Sequence, residues 1–347
     1  MPTSSIDTFF ACSLIVTVAI IATAFLAETM QTRIASMQEL NEQDYLRNIA
    51  NHIVTSCGDP ANWGSTFQDP KSLGFSVNDT YCLYDLDIDK ITRLNDLNMH
   101  ALSYYSGFTA ARLDDIAFGI SVSQMLDVTT KLVGNVTLGN VTEYTFQITV
   151  NQDSGPVKAD LHSYFVVDNF TATASNSTSS LGIGQISIDV PNSYRGSLTL
   201  LVFAKSSSND RLISFSTFTF QHMSEDLQTN HTFVSLSPLN YTLNLKENFP
   251  DISVEKIYAF TYNHQSNLPL SSNNSSQIPL FTDNSPIVLL VQGKNGTTSF
   301  NEVVSYPQVP LTFGADFSRS ETNTFDYLVS INNVPYKLTL RFGDVAN

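Results

Sequence analysis

Residues 4–37 read SSIDTFFACSLIVTVAIIATAFLAETMQTRIASM, and from Phe9 to Ala27 no residue carries a charge. A helix packed on one side of a water-facing protein keeps a polar stripe on the other, so an apolar run of this purity points to lipid or to burial on all sides. Nineteen residues at 1.5 Å each cover nearly all of a hydrocarbon core of about 30 Å. Ser4 or Ser5 with Asp7 supplies an N-cap signature, and the Asp7 carboxylate suits the positive end of the helix dipole. Beyond Glu28, apolar residues recur at mostly three- and four-residue spacing: Met30, Ile34, Met37, Leu40, Tyr45, Leu46, Ile49 and Ile53. No Pro or Gly interrupts residues 3–57. One helix of about 50 residues and roughly 75 Å is therefore expected, more than twice the span a plain membrane anchor needs.

Anchor, signal peptide and filament spine all begin this way. Ala22 and Ala24 form a small-x-small cleavage pattern, but MPTSSID, ahead of the run, has no positive charge. The first basic residue is Arg33, which leaves orientation unreadable from basic flanks.

The rest of the chain narrows the choice. Its 347 residues are 42% hydrophobic, enough for two or three domains with real cores. Charged residues make up 14%, the net charge is −15, and Lys and Arg never cluster, which excludes nucleic acid as a partner. Ser, Thr and Asn supply the surface polarity instead. N-x-[ST] acceptor sequons occur at Asn78, Asn135, Asn140, Asn169, Asn176, Asn230, Asn240, Asn273, Asn274 and Asn295, all beyond the helix, which fits a chain exposed outside the cell after residue 56. Cys57 and Cys82 flank one short segment on that side and are expected to pair, with two buried thiols as the alternative; closing such a loop contributes about 3 kcal/mol. Cys12 lies in the apolar run as a small packing residue.

Gly58 suits the left-handed end of a helix, and Pro60 cannot easily continue one. Trp63, the sole Trp, is expected to pack the helix exit against the head. A second amphipathic helix is predicted after Asp87 or Asp89, with Ile91, Leu94, Leu97, Ala101, Leu102 and Tyr105 on one side. From Ile116 the period becomes two: Ile116, Phe118, Ile120 and Val122; Leu198, Leu200 and Val202; Leu243 and Leu245; Tyr258, Phe260 and Tyr262. Tyr327–Ile331, Asn332-Asn333 and Val334–Phe342 spell a hairpin, since Asn tolerates positive φ. The fold class read from this is α+β: a long N-terminal helix and a head of antiparallel, Ig-like β-sandwich type. The expected segments are 1–56 (helix), 57–115 (neck with a second helix), 116–222 and 223–347 (two stacked sandwiches, one elaborated sandwich being the alternative), with QHMSEDLQTNHT at 221–232 between the last two.

No chemistry motif stands out. DLDID (85–89) begins like a calcium loop but has Lys90 where Gly is required and Asp96 where Glu is, so it reads as a helix N-cap. GIGQIS lacks the third glycine of a dinucleotide loop, and GKNGTT reads as a hairpin turn. The six histidines, His52, His100, His162, His222, His231 and His264, show no ligand-pair spacing. No catalytic, cofactor or metal residues are predicted and no enzymatic activity is expected.

An apolar N-terminal helix with an early carboxylate, running on into GDPANWG (58–64), SLGF (72–75), LDIDKITRLNDL (86–97) and ARLDDIAFGISV (111–122), resembles archaeal type IV pilin-like proteins over about the first 125 residues. The resemblance implies a subunit of an extracellular filament, anchored in the membrane before assembly. The helices of many copies would form its core through Asp7, Phe9, Phe10, Val16, Ala19, Ala22 and Ala24, with Asp7 at the position of the acidic residue that neutralises an N-terminal amine or guides docking. It also implies an assembly ATPase and a membrane platform as partners. No basic leader precedes the run, so the numbering is expected to be that of a mature chain or of one with an atypical leader. A singly anchored surface protein or minor pilin, acting as a tip adhesin or stator-like surface-layer binder, is the alternative.

Overall fold

The computed structural model describes residues 3–77, 84–113, 116–224, 232–317 and 322–343, without the side chains of residues 3–8, 32, 34–36, 38, 39 and 41. The chain divides into two compact units, Met1–Asn51 and His52–Asn347.

Helix α1 is continuous over Thr3–Thr55, 53 residues or about 80 Å. It already includes Thr3, so Ser4 and Ser5 stand inside its first turn instead of capping it. Its last residues, His52–Thr55, belong to the head unit.

The head is a stack of four antiparallel sheets beside a fifth. The first outer sheet is Asp127–Leu138, Val141–Gln152, Gly155–Pro156 and Ile183–Pro191. It packs on a first inner sheet, ordered Ile213–His222, Gly196–Ser206, Ala159–Val167, Phe170–Ser177. The second inner sheet is ordered Gln265–Leu268, Ile252–Phe260, Ile287–Asn295, Thr298–Tyr306, and the second outer sheet Val234–Leu239, Thr242–Glu247, Ser275–Gln277.

Burial explains the stacking order. Along Val141–Gln152 buried residues alternate strictly with half-buried ones, the mark of a strand with one wet face. Gly196–Ser206 and Ile287–Asn295 instead bury nearly every residue, as strands covered on both faces must. Leu198, Leu200 and Val202 join Phe146 and Ile148 in the core of the first sandwich. Leu289 and Val291 join Leu243 and Ile257 in the core of the second. The intervening residues Leu201, Phe203, Val288 and Leu290 meet in a third core with Tyr164 and Phe260, which glues the two inner sheets together. The Tyr164 and Phe260 rings stand 4.8 Å apart. The head is thus two sandwiches fused back to back.

The fifth sheet roots the stack. Its order is Asp85–Leu86, Asn323–Ile331, Val334–Gly343, Ala117–Gln124, Leu311–Gly314, with the first pair parallel and the rest antiparallel. Asn332 and Asn333 both take positive φ, which makes the predicted two-residue hairpin turn. Strand pairing divides the head differently from the segments 57–115, 116–222 and 223–347. Both sandwiches, residues 127–306, leave from Ala117–Gln124 and return through its neighbour Leu311–Gly314, and the C-terminal hairpin pairs with the strand that follows the neck. Alternation locates strands but carries no information on which distant strand each one joins.

Candidate assembly helix and neck

In α1, Phe9–Gln31 is 23 residues long, its most apolar 18-residue window has a mean hydropathy of 2.5, and none of it is buried. Phe9, Phe10, Val16, Ala19, Ala22 and Ala24 are all exposed. Their apolar neighbours Leu14, Ile15, Ile20, Ile21 and Leu26 are exposed as well, so no polar stripe divides the surface. The hydroxyls of Thr17, Thr23 and Thr29 donate to the carbonyls of Ser13, Ala19 and Phe25, at 2.9, 2.9 and 2.7 Å. This back-bonding satisfies each hydroxyl inside the helix and lets it sit in an apolar environment. The Asp7 side chain lies outside the described residues, as do Cys82, Asn78 and Asn230.

The neck receives the chain after the helix. Phe75 and Ser76 donate backbone N–H to the carbonyls of Ile53 and Ser56, both at 2.9 Å, so an extended segment satisfies carbonyls that a helix end leaves open. Gly58 has φ +73°, and a Cβ there would stand 2.5 Å from the Ser72 carbonyl oxygen. Trp63 is fully buried and its Nε1 donates to the Gly74 carbonyl at 3.0 Å. Gly64 lies against the first neck helix, α2 (Ile88–Thr92), where an added Cβ would stand 2.7 Å from the Lys90 nitrogen.

Helix α2 is capped by Asp87, whose Oδ1 accepts from the backbone N–H of Asp89 and Lys90. The predicted longer helix over residues 91–105 does not form. Asn95 and Asn98 accept from the backbone N–H of Leu97 and His100, folding the chain into turns before α3 (Tyr104–Ala111), and Leu97 is left exposed.

Three charged residues of this segment turn inward. Lys90 is fully buried, with Nζ donating to the carbonyls of Cys57 at 2.9 Å and Ser76 at 2.8 Å. Arg93 donates to the carbonyls of His100, Trp63 and Gln68, and its guanidinium lies 5.4 Å from the Trp63 ring centre. Burial pulls the Arg93 pKa down, and Asp69 opposes that shift. Asp89 Oδ1 accepts from Asn240 N–H and Tyr306 Oη, each at 2.7 Å, fastening the neck to the second sandwich. Burial holds the Asp89 carboxyl above the ordinary range despite these bonds. Asn98 adds bonds to the Pro238 carbonyl and to Gln308 Oε1. These inward charges and the Asn98–Gln308 bridge were not readable in advance, since a Lys or Arg bound for carbonyls looks in sequence like one bound for water.

Asn135, Asn140, Asn169, Asn176, Asn240, Asn273 and Asn274 are exposed and Asn295 is half-buried. No family model and no curated protein matches the chain. Among solved structures, it is similar at 12% identity to the "Crystal structure of chicken CNTN1 FN1-FN3 domains", over 52% of this chain and 67% of that one. The TM-score is 0.21, too low for this likeness to carry any argument.

Proposed function

We propose that the chain is a structural, non-enzymatic subunit of a type IV pilus-like filament at the cell surface. The observation that carries this reading is the 23-residue, fully uncovered apolar stretch that continues in the same helix to Thr55. Before assembly that stretch crosses the membrane. During assembly, driven by an ATPase and a platform protein, helix contacts replace lipid contacts; the gain then comes from packing, and Ala19, Ala22 and Ala24 let neighbouring helices approach closely. The head faces solvent, carries glycans, has Cys57 paired with Cys82, and serves adhesion.

Composition and fold support this reading in one further respect. A head of five sheets with few charges and many Asn, Ser and Thr suits a permanently exposed surface. The size of that head favours a second reading, a singly anchored protein or minor tip subunit, because bulky subunits space a filament widely. Quantifying the chain in filaments sheared from the cells separates the two: a major subunit dominates that material, and a minor or anchored one does not.

A further inference from the structure

Eight of the ten sequons have both the Asn and the hydroxyl two residues on within the described residues, and six of these sort into two sets. In the open set the Ser/Thr residue is exposed: Thr171 after Asn169, Thr297 after Asn295, and Thr137 after Asn135, whose Oγ1 also lies 3.0 Å from that of Thr142. In the closed set it is buried and bonded. Thr142, after Asn140, donates to Asn192 Oδ1 at 2.8 Å. Thr178, after Asn176, accepts from Ala159 N–H at 2.8 Å and donates to the Val157 carbonyl at 3.0 Å. Ser276, after Asn274, donates to the Pro269 carbonyl at 2.9 Å. Asn176 is withheld twice over, since its own Nδ2 donates to the Gln185 carbonyl.

Transfer of a glycan to such an Asn forms a bond between Nδ2 and the anomeric carbon. It breaks that carbon's bond to the phosphate of a lipid-linked oligosaccharide donor, which leaves as the lipid phosphate while a base takes the amide proton. The acceptor is recognised through the amide and the Ser or Thr hydroxyl together. Hairpins close in about 1–10 μs and small domains fold at about 1–10⁵ per second, whereas a typical enzyme turns over about 10 times per second. A head that folds faster than about 10 times per second is closed before transfer, and the fold then selects the acceptors.

We propose that the head is glycosylated as a folded body, at Asn135, Asn169 and Asn295 and not at Asn140, Asn176 or Asn274. This rests on the reading of the head as an exposed glycoprotein. The test is glycopeptide mass spectrometry of the full-length chain from its own cells, with fragmentation that resolves Asn273 from Asn274. Glycan at all three open sites and at none of the closed ones is expected. Glycan on any closed site overturns selection by the fold while leaving the exposed-glycoprotein reading intact; a chain bare at every sequon overturns that reading itself. Asn192→Ala combined with Thr137→Val, which removes both side-chain partners of the Thr142 hydroxyl, Asn192 Oδ1 at 2.8 Å and Thr137 Oγ1 at 3.0 Å, provides the converse: Asn140 is expected to go from bare to measurably occupied. If Asn140 stays bare in a folded variant, its buried hydroxyl was not what withheld it.

Discussion

Arg93 spends its guanidinium on three backbone carbonyls, those of His100, Trp63 and Gln68. Arg93→Ala removes the donor from the buried Trp63 carbonyl and the part-buried His100 and Gln68 carbonyls, and a loss of about 3 kcal/mol is expected, read as a lower denaturation midpoint of the head at unchanged m-value. Asp89 offers a test with a sign. Its folded-state pKa is raised, chiefly by burial, so its favourable contribution is complete below the unfolded pKa and is lost as pH rises through the folded one. Asn at this position can still accept from Asn240 and Tyr306 without bearing charge. Asp89→Asn is therefore expected to gain stability relative to the parent at pH 7, with the gain shrinking as pH falls toward 4. Urea midpoints of both proteins across that range check this, and a gain that grows on acidification contradicts it. Trp63 and the Asp87 cap were legible in the sequence because each follows a local rule. The inward turn of Lys90 and Arg93 depends on the carbonyls of Cys57, Trp63, Gln68 and Ser76, 14 to 33 residues away, which no local pattern encodes.

At the scale of elements, the period of two in Leu198, Leu200 and Val202 locates the strand Gly196–Ser206 but does not reveal that both its faces are covered. Both phases of that period are apolar because one packs into its own sandwich and the other onto the neighbouring one. Leu201→Ala empties space in the core between the inner sheets and is expected to cost about 2–5 kcal/mol, measured by chemical denaturation. The predicted helix over residues 91–105 failed because Asn95 and Asn98 compete for backbone N–H groups, a preference that helical periodicity does not weigh. For α1, shape and hydrophobicity make separable demands. Ala19→Leu with Ala22→Leu keeps the run apolar but overpacks a tight bundle, so membrane insertion is expected to persist while filaments are lost. Val16→Lys is expected to impair insertion itself, by about 2.5–3.5 kcal/mol on insertion scales. Membrane fractionation and filament counts on the same cells distinguish these outcomes; unchanged filament numbers in the alanine double variant contradict tight packing at those positions.

At the scale of the whole molecule, the long helix and the two-sandwich head follow from hydrophobic periods, whereas the return of Val334–Gly343 to pair with Ala117–Gln124 does not, being a contact across more than two hundred residues. That closure brings the C-terminal hairpin to the neck, so both sandwiches hang from a root sheet fed by the neck. The expected Cys57–Cys82 link would add a covalent tie in the same region, and non-reducing peptide mapping checks it, two free thiols in surface-derived protein being the contrary result. The central claim is that α1 is the spine of an assembly. Cryo-electron microscopy of filaments sheared from producing cells tests it most directly. The expected result is a core of packed α1 helices from many copies of this chain, with the β heads outermost. Surface filaments that lack the chain, with the protein recovered only as separate membrane-anchored molecules, would contradict it.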